Sequence, residues 1–238
     1  MDVEGIDAAQ KLAILAQIAF GMAVPLSAID RRGISAVDAT DIRFAGELGY
    51  VIRLLAESWL DKGQIAFHVS PVFLRKSSPL AQVRGPYNAI YVNCDAVGDT
   101  LFYGRGAGQM PTASAVTADI IDLAIGRSQR TFQTLRLWTR NGERLELRPP
   151  ETVRTRFYLR AMVADKPGTL SEVCGVLASQ QVSIASVIQH EVPDAEDQRV
   201  QLVIMTHNSP TGNFRAACER LNQLSCVSGP CVYYPVED

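Results

Sequence analysis

The stretch that most restricts what this chain can fold into runs from Phe157 to Val236. "FYLRAMVAD" alternates as a strand, and "KPGTLSEVCGVLASQ" reads as a helix with Pro167 and Gly168 at its entrance. "VSIASVIQHEV" and "QRVQLVIMTHN" are further strands, "NFRAACERLNQL" is a helix, and "SCVSGPCVYYPV" supplies a last strand. That order, βαββαβ over about 80 residues, is the split-βαβ, ferredoxin-like sandwich.

Upstream lies "RPPETVRTR", rich in proline and arginine and almost without apolar residues, which marks a domain boundary. The expected division is 1–147, a linker at 148–155, and 156–238. In the first part, apolar residues at Ala8, Leu12, Leu15, Ala19 and Met22 have the spacing of a helix with one buried stripe, and Pro25 lies just beyond it. "SAVDATDIRFAGELG" is a shorter helix ending near Gly49. Four β-type runs follow: "YVIRLLAESW", "QIAFHVSPVFL", "YNAIYVNCDA" and "TLFYGRG". Glycine-rich "GRGAGQMP" then leads into a helix of small and apolar residues, "TASAVTADIIDLAIG". Helices on both sides of a four-strand set predict an α+β layer, a mixed sheet with helices on one face, followed by the βαββαβ unit.

Composition removes several function classes. A formal net charge of −2 offers no basic footprint for nucleic acid. No apolar run approaches the roughly 20 residues of a membrane span, and the N-terminal residues lack the basic and apolar regions expected of a signal peptide. The cysteines are Cys94, Cys174, Cys218, Cys226 and Cys231, without metal-binding spacing; no metal is expected, and reduced thiols suit a cytoplasmic protein.

Three stretches carry chemistry. In "DKPG", Gly168 lets the backbone approach a ligand, and free N–H groups at the helix start can hold a carboxylate. The same four residues also make a plain strand-to-helix turn. In "DVEGIDAAQKLAIL", Asp7 and Lys11 are four apart and share a helix face, with Asp2 a second carboxylate nearby. They suit a ligand bearing an ammonium and a hydroxyl; equally, Asp7 can cap the helix and pair with Lys11 on a solvated surface. In "GRGAGQMPTASAV", three glycines before a helix permit close backbone approach, as would a tight turn, and the pattern is not G-x-G-x-x-G.

"DKPGTLSEVCGVLASQQVSIASVIQHE" resembles the ACT domain, a small amino-acid-sensing module. With "DVEGIDAAQKLAILA" and "GRGAGQMPTASAVTADI" in this order, the whole chain resembles the homoserine dehydrogenase family. The resemblance implies an oxidoreductase that interconverts aspartate semialdehyde and homoserine with NAD or NADP, in the biosynthesis of threonine, methionine and isoleucine. It assigns Lys11 and Asp7 to catalysis, with Asp2, Gly5 and Asp7 toward substrate and Gly106, Ala107 and Gly108 toward cofactor. It puts an effector, threonine, at Asp165, Pro167, Gly168 and Gln189, and implies a homo-oligomer, a dimer or a tetramer. The family's nucleotide-binding Rossmann domain, which holds most of the cofactor, has no counterpart here. The expectation is therefore a fragment starting mid-protein and inactive alone. The alternative is a non-catalytic, stand-alone amino-acid-binding regulator or oligomerisation protein.

Overall fold

The computed structural model describes residues 1–134, 145–190 and 199–237. Helix α1 (Ile6–Phe20) opens on Gly5 in the left-handed region and stops at Gly21, whose N–H reaches back to the Gln17 carbonyl. It buries Ala9, Leu12 and Ala16; of the expected stripe, Leu12 is buried and Ala8 and Met22 pack partly against the same core, whereas Leu15 and Ala19 are exposed. Small alanines let the helix axis approach a sheet closely, which leaves the bulkier Ile14, Leu15 and Ile18 exposed. A two-residue strand, β1 (Asp30–Arg31), and helix α2 (Ala39–Glu47) follow, α2 capped by the Asp38 carboxylate accepting from the Thr40 N–H at 2.6 Å.

Strands β2 (Tyr50–Asp61) and β3 (Gln64–Arg75) form a hairpin closed by Lys62 and Gly63, both at positive φ, the geometry of a tight two-residue turn. Among the described residues, strands β4 (Tyr87–Cys94) and β5 (Gly98–Arg105) pair only with each other. Helices α3 (Gln109–Ala124) and α4 (Arg127–Thr134) come next, then β6 (Glu146–Leu147). The C-terminal part runs β7 (Arg154–Ala164), α5 (Thr169–Ser179), β8 (Ile184–Gln189), β9 (Arg199–Thr206), β10 (Ser209–Pro210), α6 (Thr211–Leu221) and β11 (Val227–Glu237). The ends of the strand expected through Val192, and Gln198 of the next, lie outside the described residues.

The fold is α+β with a mixed sheet and a βαββαβ unit, as the sequence predicts. The four N-terminal strands do not share a sheet of their own, however. One edge of β3 is paired throughout with β2, and its other edge takes three short parallel partners in turn: β6 at Gln64–Ile65, β1 at His68–Val69 and β11 at Phe73–Leu74. Through β11 the sheet continues without interruption into β7, β9 and β8, and the second hairpin is left separate.

Alternation along β3 divides the layers. Ile65, Phe67 and Val69 pack under α1, and Phe73 shares a core with Tyr158, Tyr234 and Phe44 of α2. On the opposite sheet face, Phe157, Leu159 and Leu202 lie beneath α5 and α6. Asp41 of α2, fully buried, joins the N-terminal half to the C-terminal strands. It accepts from Arg160 Nε at 2.6 Å, Arg160 Nη2 at 2.9 Å and the Tyr158 hydroxyl at 2.9 Å, with the Tyr234 hydroxyl at 3.4 Å. Hydrogen bonds to Asp41 raise the pKa of the Arg160 guanidinium, while burial first, and then the Asp41 charge, pushes the Tyr158 hydroxyl up. No described helix is long and apolar enough to cross a membrane.

Candidate active site

Gly5 sits at the N-cap of α1 with φ +70°, and a Cβ there would lie 2.9 Å from Val69 Cγ1. No side chain fits, so the turn Asp2–Gly5 presents backbone alone at this point. Asp7, in the first turn, is not the cap; its carboxylate faces Lys11, Oδ2 to Nζ 2.6 Å, with side chains 44% and 63% exposed. The pair is thus reachable by a small molecule while being anchored on a helix whose opposite face is buried. Asp2 is exposed and its carboxylate has no hydrogen-bond partner among the described residues; its backbone carbonyl accepts from the Gly5 N–H. The structure brings Asp7 and Lys11 together and places Asp2 one turn before them.

Four residues that sequence reasoning passed over hold this turn. Arg31 Nη1 donates to the Glu4 carbonyl at 2.5 Å, the Ile34 N–H donates to the Val3 carbonyl at 2.7 Å, and the Ser35 hydroxyl bonds the Glu4 carboxylate. Gly33 lies so near that a Cβ would meet the Val3 carbonyl oxygen at 2.5 Å. Nothing in "RRGIS" marks them in advance, since arginines and a glycine are ordinary in an exposed loop.

Gly106, Ala107 and Gly108 occupy the exposed turn between β5 and α3. A Cβ at Gly106 would overlap the exposed Asn88 amide at 1.6 Å, a contact that side chain can relieve by rotating. Gly108, at φ +115°, is the N-cap of a sixteen-residue helix, and Pro111 alone comes within 4 Å of a Cβ there. This open turn carries only the Ala107 methyl and leads into a helix N-terminus, the kind of backbone that accepts an anionic group. A G-x-G-x-x-G turn able to enclose a pyrophosphate is not among the 238 residues.

At the C-terminal module, Gln189 Nε2 donates to Asp165 Oδ1 at 3.1 Å, joining two of the four expected effector residues across the β7–α5 turn. Pro167 and Gly168 are exposed in that turn, and Gly168, at φ +95°, caps α5. Beside it, Thr169 is 4% exposed and its hydroxyl has no partner in the structure. An unpaired buried hydroxyl at the mouth of an exposed turn is what a bound ligand or water satisfies.

A second titratable pair, unsuspected from sequence, lies on the other face of β3. Glu57 and His68 stand directly opposite across the hairpin, Oε2 3.2 Å from Nε2, with Trp59 stacked on the imidazole at 5.1 Å. Burial raises Glu57 to about 8, aided by Glu237, and lowers His68 to about 4, where Asp30 pulls upward and Arg32 and Arg215 downward. Ordinary values are 4.5 and 6.5, so between those pH values folded and unfolded chains each hold one proton on the pair. From pH 6.5 to about 8 the folded pair keeps a proton that the unfolded chain has released, so stability falls as pH rises. Urea midpoints should therefore be level from pH 4.5 to 6.5 and decline to pH 8, and Glu57→Gln should abolish the decline. A midpoint in the variant that falls as steeply as the wild type over that range would assign the decline to other groups.

Among the described residues there is no cluster of three His, Cys, Asp or Glu side chains placed to hold a metal. Residues 1–121 match the family model of homoserine dehydrogenase, and residues 157–226 match that of the ACT domain. The chain is 37% identical to the homoserine dehydrogenase of Neisseria gonorrhoeae over 239 aligned positions, covering 99% of this chain and 54% of that protein. For the Bacillus subtilis homoserine dehydrogenase the figures are 34% over 236, with the same coverage of 99% and 54%. Among solved structures, a homoserine dehydrogenase from Thiobacillus denitrificans superposes over the full chain with a TM-score of 0.85 at 35% identity, again covering 54% of that protein. The chain thus spans about half the length of the curated relatives it matches.

Proposed function

As the chain belongs to the homoserine dehydrogenase family, we propose that it forms the substrate-binding half and sensing module of an enzyme that interconverts aspartate semialdehyde and homoserine. The observation that carries the reading is the Asp7–Lys11 pair at 2.6 Å, exposed on the first turns of a helix whose start is fixed by a backbone turn. Lys11 gives a proton to the carbonyl oxygen as it becomes the homoserine hydroxyl, and takes it back in oxidation. Asp7 holds the ammonium of Lys11 in place, and the unpaired Asp2 carboxylate is free to bind the ammonium of the amino-acid substrate. When bound, a nicotinamide cofactor, NAD or NADP, would supply or accept the hydride, and Gly106, Ala107 and Gly108 would help to hold it. Homoserine-dependent reduction of NAD or NADP, measured with a relative's nucleotide-binding domain joined to or mixed with this chain, tests the reading. A folded assembly without turnover counts against it.

We divide the chain as the sequence suggests, 1–147 and 156–238 about a linker at 148–155. Exposed apolar side chains on β5 and α3, among them Phe102, Met110, Ile120 and Leu123, support an enzyme in which this face is covered, as in a homo-oligomer. Five unbonded cysteines suit the cytoplasm.

The second module reads as the sensor of a pathway amino acid, threonine, bound at Asp165, Pro167, Gly168 and Gln189. The unpaired Thr169 hydroxyl supports a polar ligand there. Threonine at about 100 times its dissociation constant should add about 2.7 kcal/mol and raise the melting temperature by several degrees. Gly168→Val should remove the shift, because a branched side chain at φ +95° is strained and fills the approach to the turn. Equal shifts in both proteins would move the effector elsewhere.

A further inference from the structure

β1 is two residues long, yet it lies midway along the edge of β3, between β6 and β11. In a strand, successive side chains point to opposite faces. Asp30 and the following Arg32 point toward the C-terminal module. Asp30 Oδ2 accepts from Arg215 Nη2 of α6 at 2.6 Å, and Arg32 Nη2 donates to the Tyr233 carbonyl of β11 at 2.8 Å. The Arg32 guanidinium also stacks on the rings of Tyr233 and Tyr234, 5.0 and 5.1 Å from their centroids.

Arg31, between them, points the other way. Its aliphatic stem lies against Gly5, 3.6 Å from where a Cβ would stand, and its guanidinium bonds the Glu4 carbonyl at 2.5 Å. One residue-pair period therefore joins α6 and β11 on one face of the sheet to the start of α1 on the other. The backbone is fixed as well, since the Arg32 N–H donates to the Val69 carbonyl at 2.8 Å. A shift of α6 has a short, fully bonded route to the turn that carries Asp7 and Lys11, through Arg215, Asp30, Arg31 and Glu4.

We propose that Asp30–Arg32 is the coupling element between the C-terminal module and the Asp2–Gly5 turn, and that Arg31 is a positioning residue for the Asp7–Lys11 pair. What the turn does rests on the function proposed above; the mechanical link does not. Effector bound at the α5 turn acts on α6 through their shared core of Val173, Leu177, Phe214 and Leu221, and α6 acts on β1 through Arg215.

The test is amide hydrogen exchange on the 238-residue chain, read at Gly5, Ile6 and Ala9, whose N–H groups bond the carbonyls of Asp2, Met1 and Gly5. Arg31→Met should speed exchange there while leaving α6 protected. Arg215→Ala and Asp30→Asn should speed it by about 2- to 5-fold, the size of a half-exposed ion pair, and Arg215→Lys should restore most of the protection. Arg220→Ala, on the same helix but bonded to Ser179, should leave it unchanged. Wild-type exchange at the three amides in folded Arg215→Ala or Asp30→Asn protein overturns the proposal. So does an Arg220→Ala effect equal to that of Arg215→Ala, which would mean general loosening of α6. Either result leaves the role of Lys11 untouched, because that role is read by turnover alone.

Discussion

If Lys11 is the proton donor proposed above, Lys11→Ala should lower homoserine turnover by about 10²- to 10⁴-fold once the nucleotide-binding half is supplied, the usual contribution of such a group. The methyl group of alanine cannot deliver a proton to the forming hydroxyl, and no other ammonium is within hydrogen-bond distance of Asp7 among the described residues. Affinity for the cofactor stays near the wild-type value, since Lys11 is on α1 and the glycines assigned to the cofactor are on the β5–α3 turn. On the same proposal Asp7→Asn should lower turnover too, by leaving the lysine without its charged neighbour, and Asp2→Ala should chiefly raise KM, the pattern of lost uniform binding. A simple surface pair behaves differently: stability drops by about 0.3–0.5 kcal/mol and kinetics are unchanged. Wild-type kcat in folded Lys11→Ala enzyme would remove this lysine from the chemistry.

Asp41→Ala destabilises the chain by about 3–5 kcal/mol, the cost of breaking a buried ion pair from one side. The carboxylate is completely buried, and its loss strands the Arg160 guanidinium, 14% exposed, together with the hydroxyls of Tyr158 and Tyr234. Those groups are contributed by β7 and β11, whereas Asp41 is on α2, so the damage falls on the joint between the two halves. Asp41→Leu combined with Arg160→Met should recover much of the loss, because both charges are then gone and the site can pack as an apolar one. Urea unfolding measures both variants. A loss below about 1 kcal/mol in Asp41→Ala would show that water reaches Arg160 and replaces the carboxylate.

What could be read from sequence was local. The D-x-P-G turn, the alternation of β7 and the four-residue spacing of Asp7 and Lys11 depend on neighbours in the chain, and each has a structural counterpart. The Asp2 carboxylate has no such neighbour, and its role stays a proposal. Asp41 was legible in principle: it shares the helical face of Phe44, Ala45 and Leu48, so an acid there had to be buried and paired. Likewise a two-residue turn at Lys62–Gly63 sets Glu57 opposite His68 by counting outward along both strands. Nothing in the pattern of "QIAFHVSPVFL" indicates which strands take its second edge. That pairing depends on partners near positions 30, 146 and 236, and no periodicity encodes a contact over such distances.

The three parallel partners along β3 also bear on how the chain reaches this state. Val236 meets Phe73 across roughly 160 intervening residues, so closing that loop precedes any reward from the contact. The βαββαβ unit can assemble from neighbours in sequence, but the edge of β3 stays partly bare until β11 arrives. During synthesis a hairpin carrying Phe67, Val69, Val72 and Phe73 thus waits with an open hydrogen-bonding edge. High contact order makes that wait slow. In a nascent chain, the same edge that later unites the two halves is the one most exposed to pairing with a stranger.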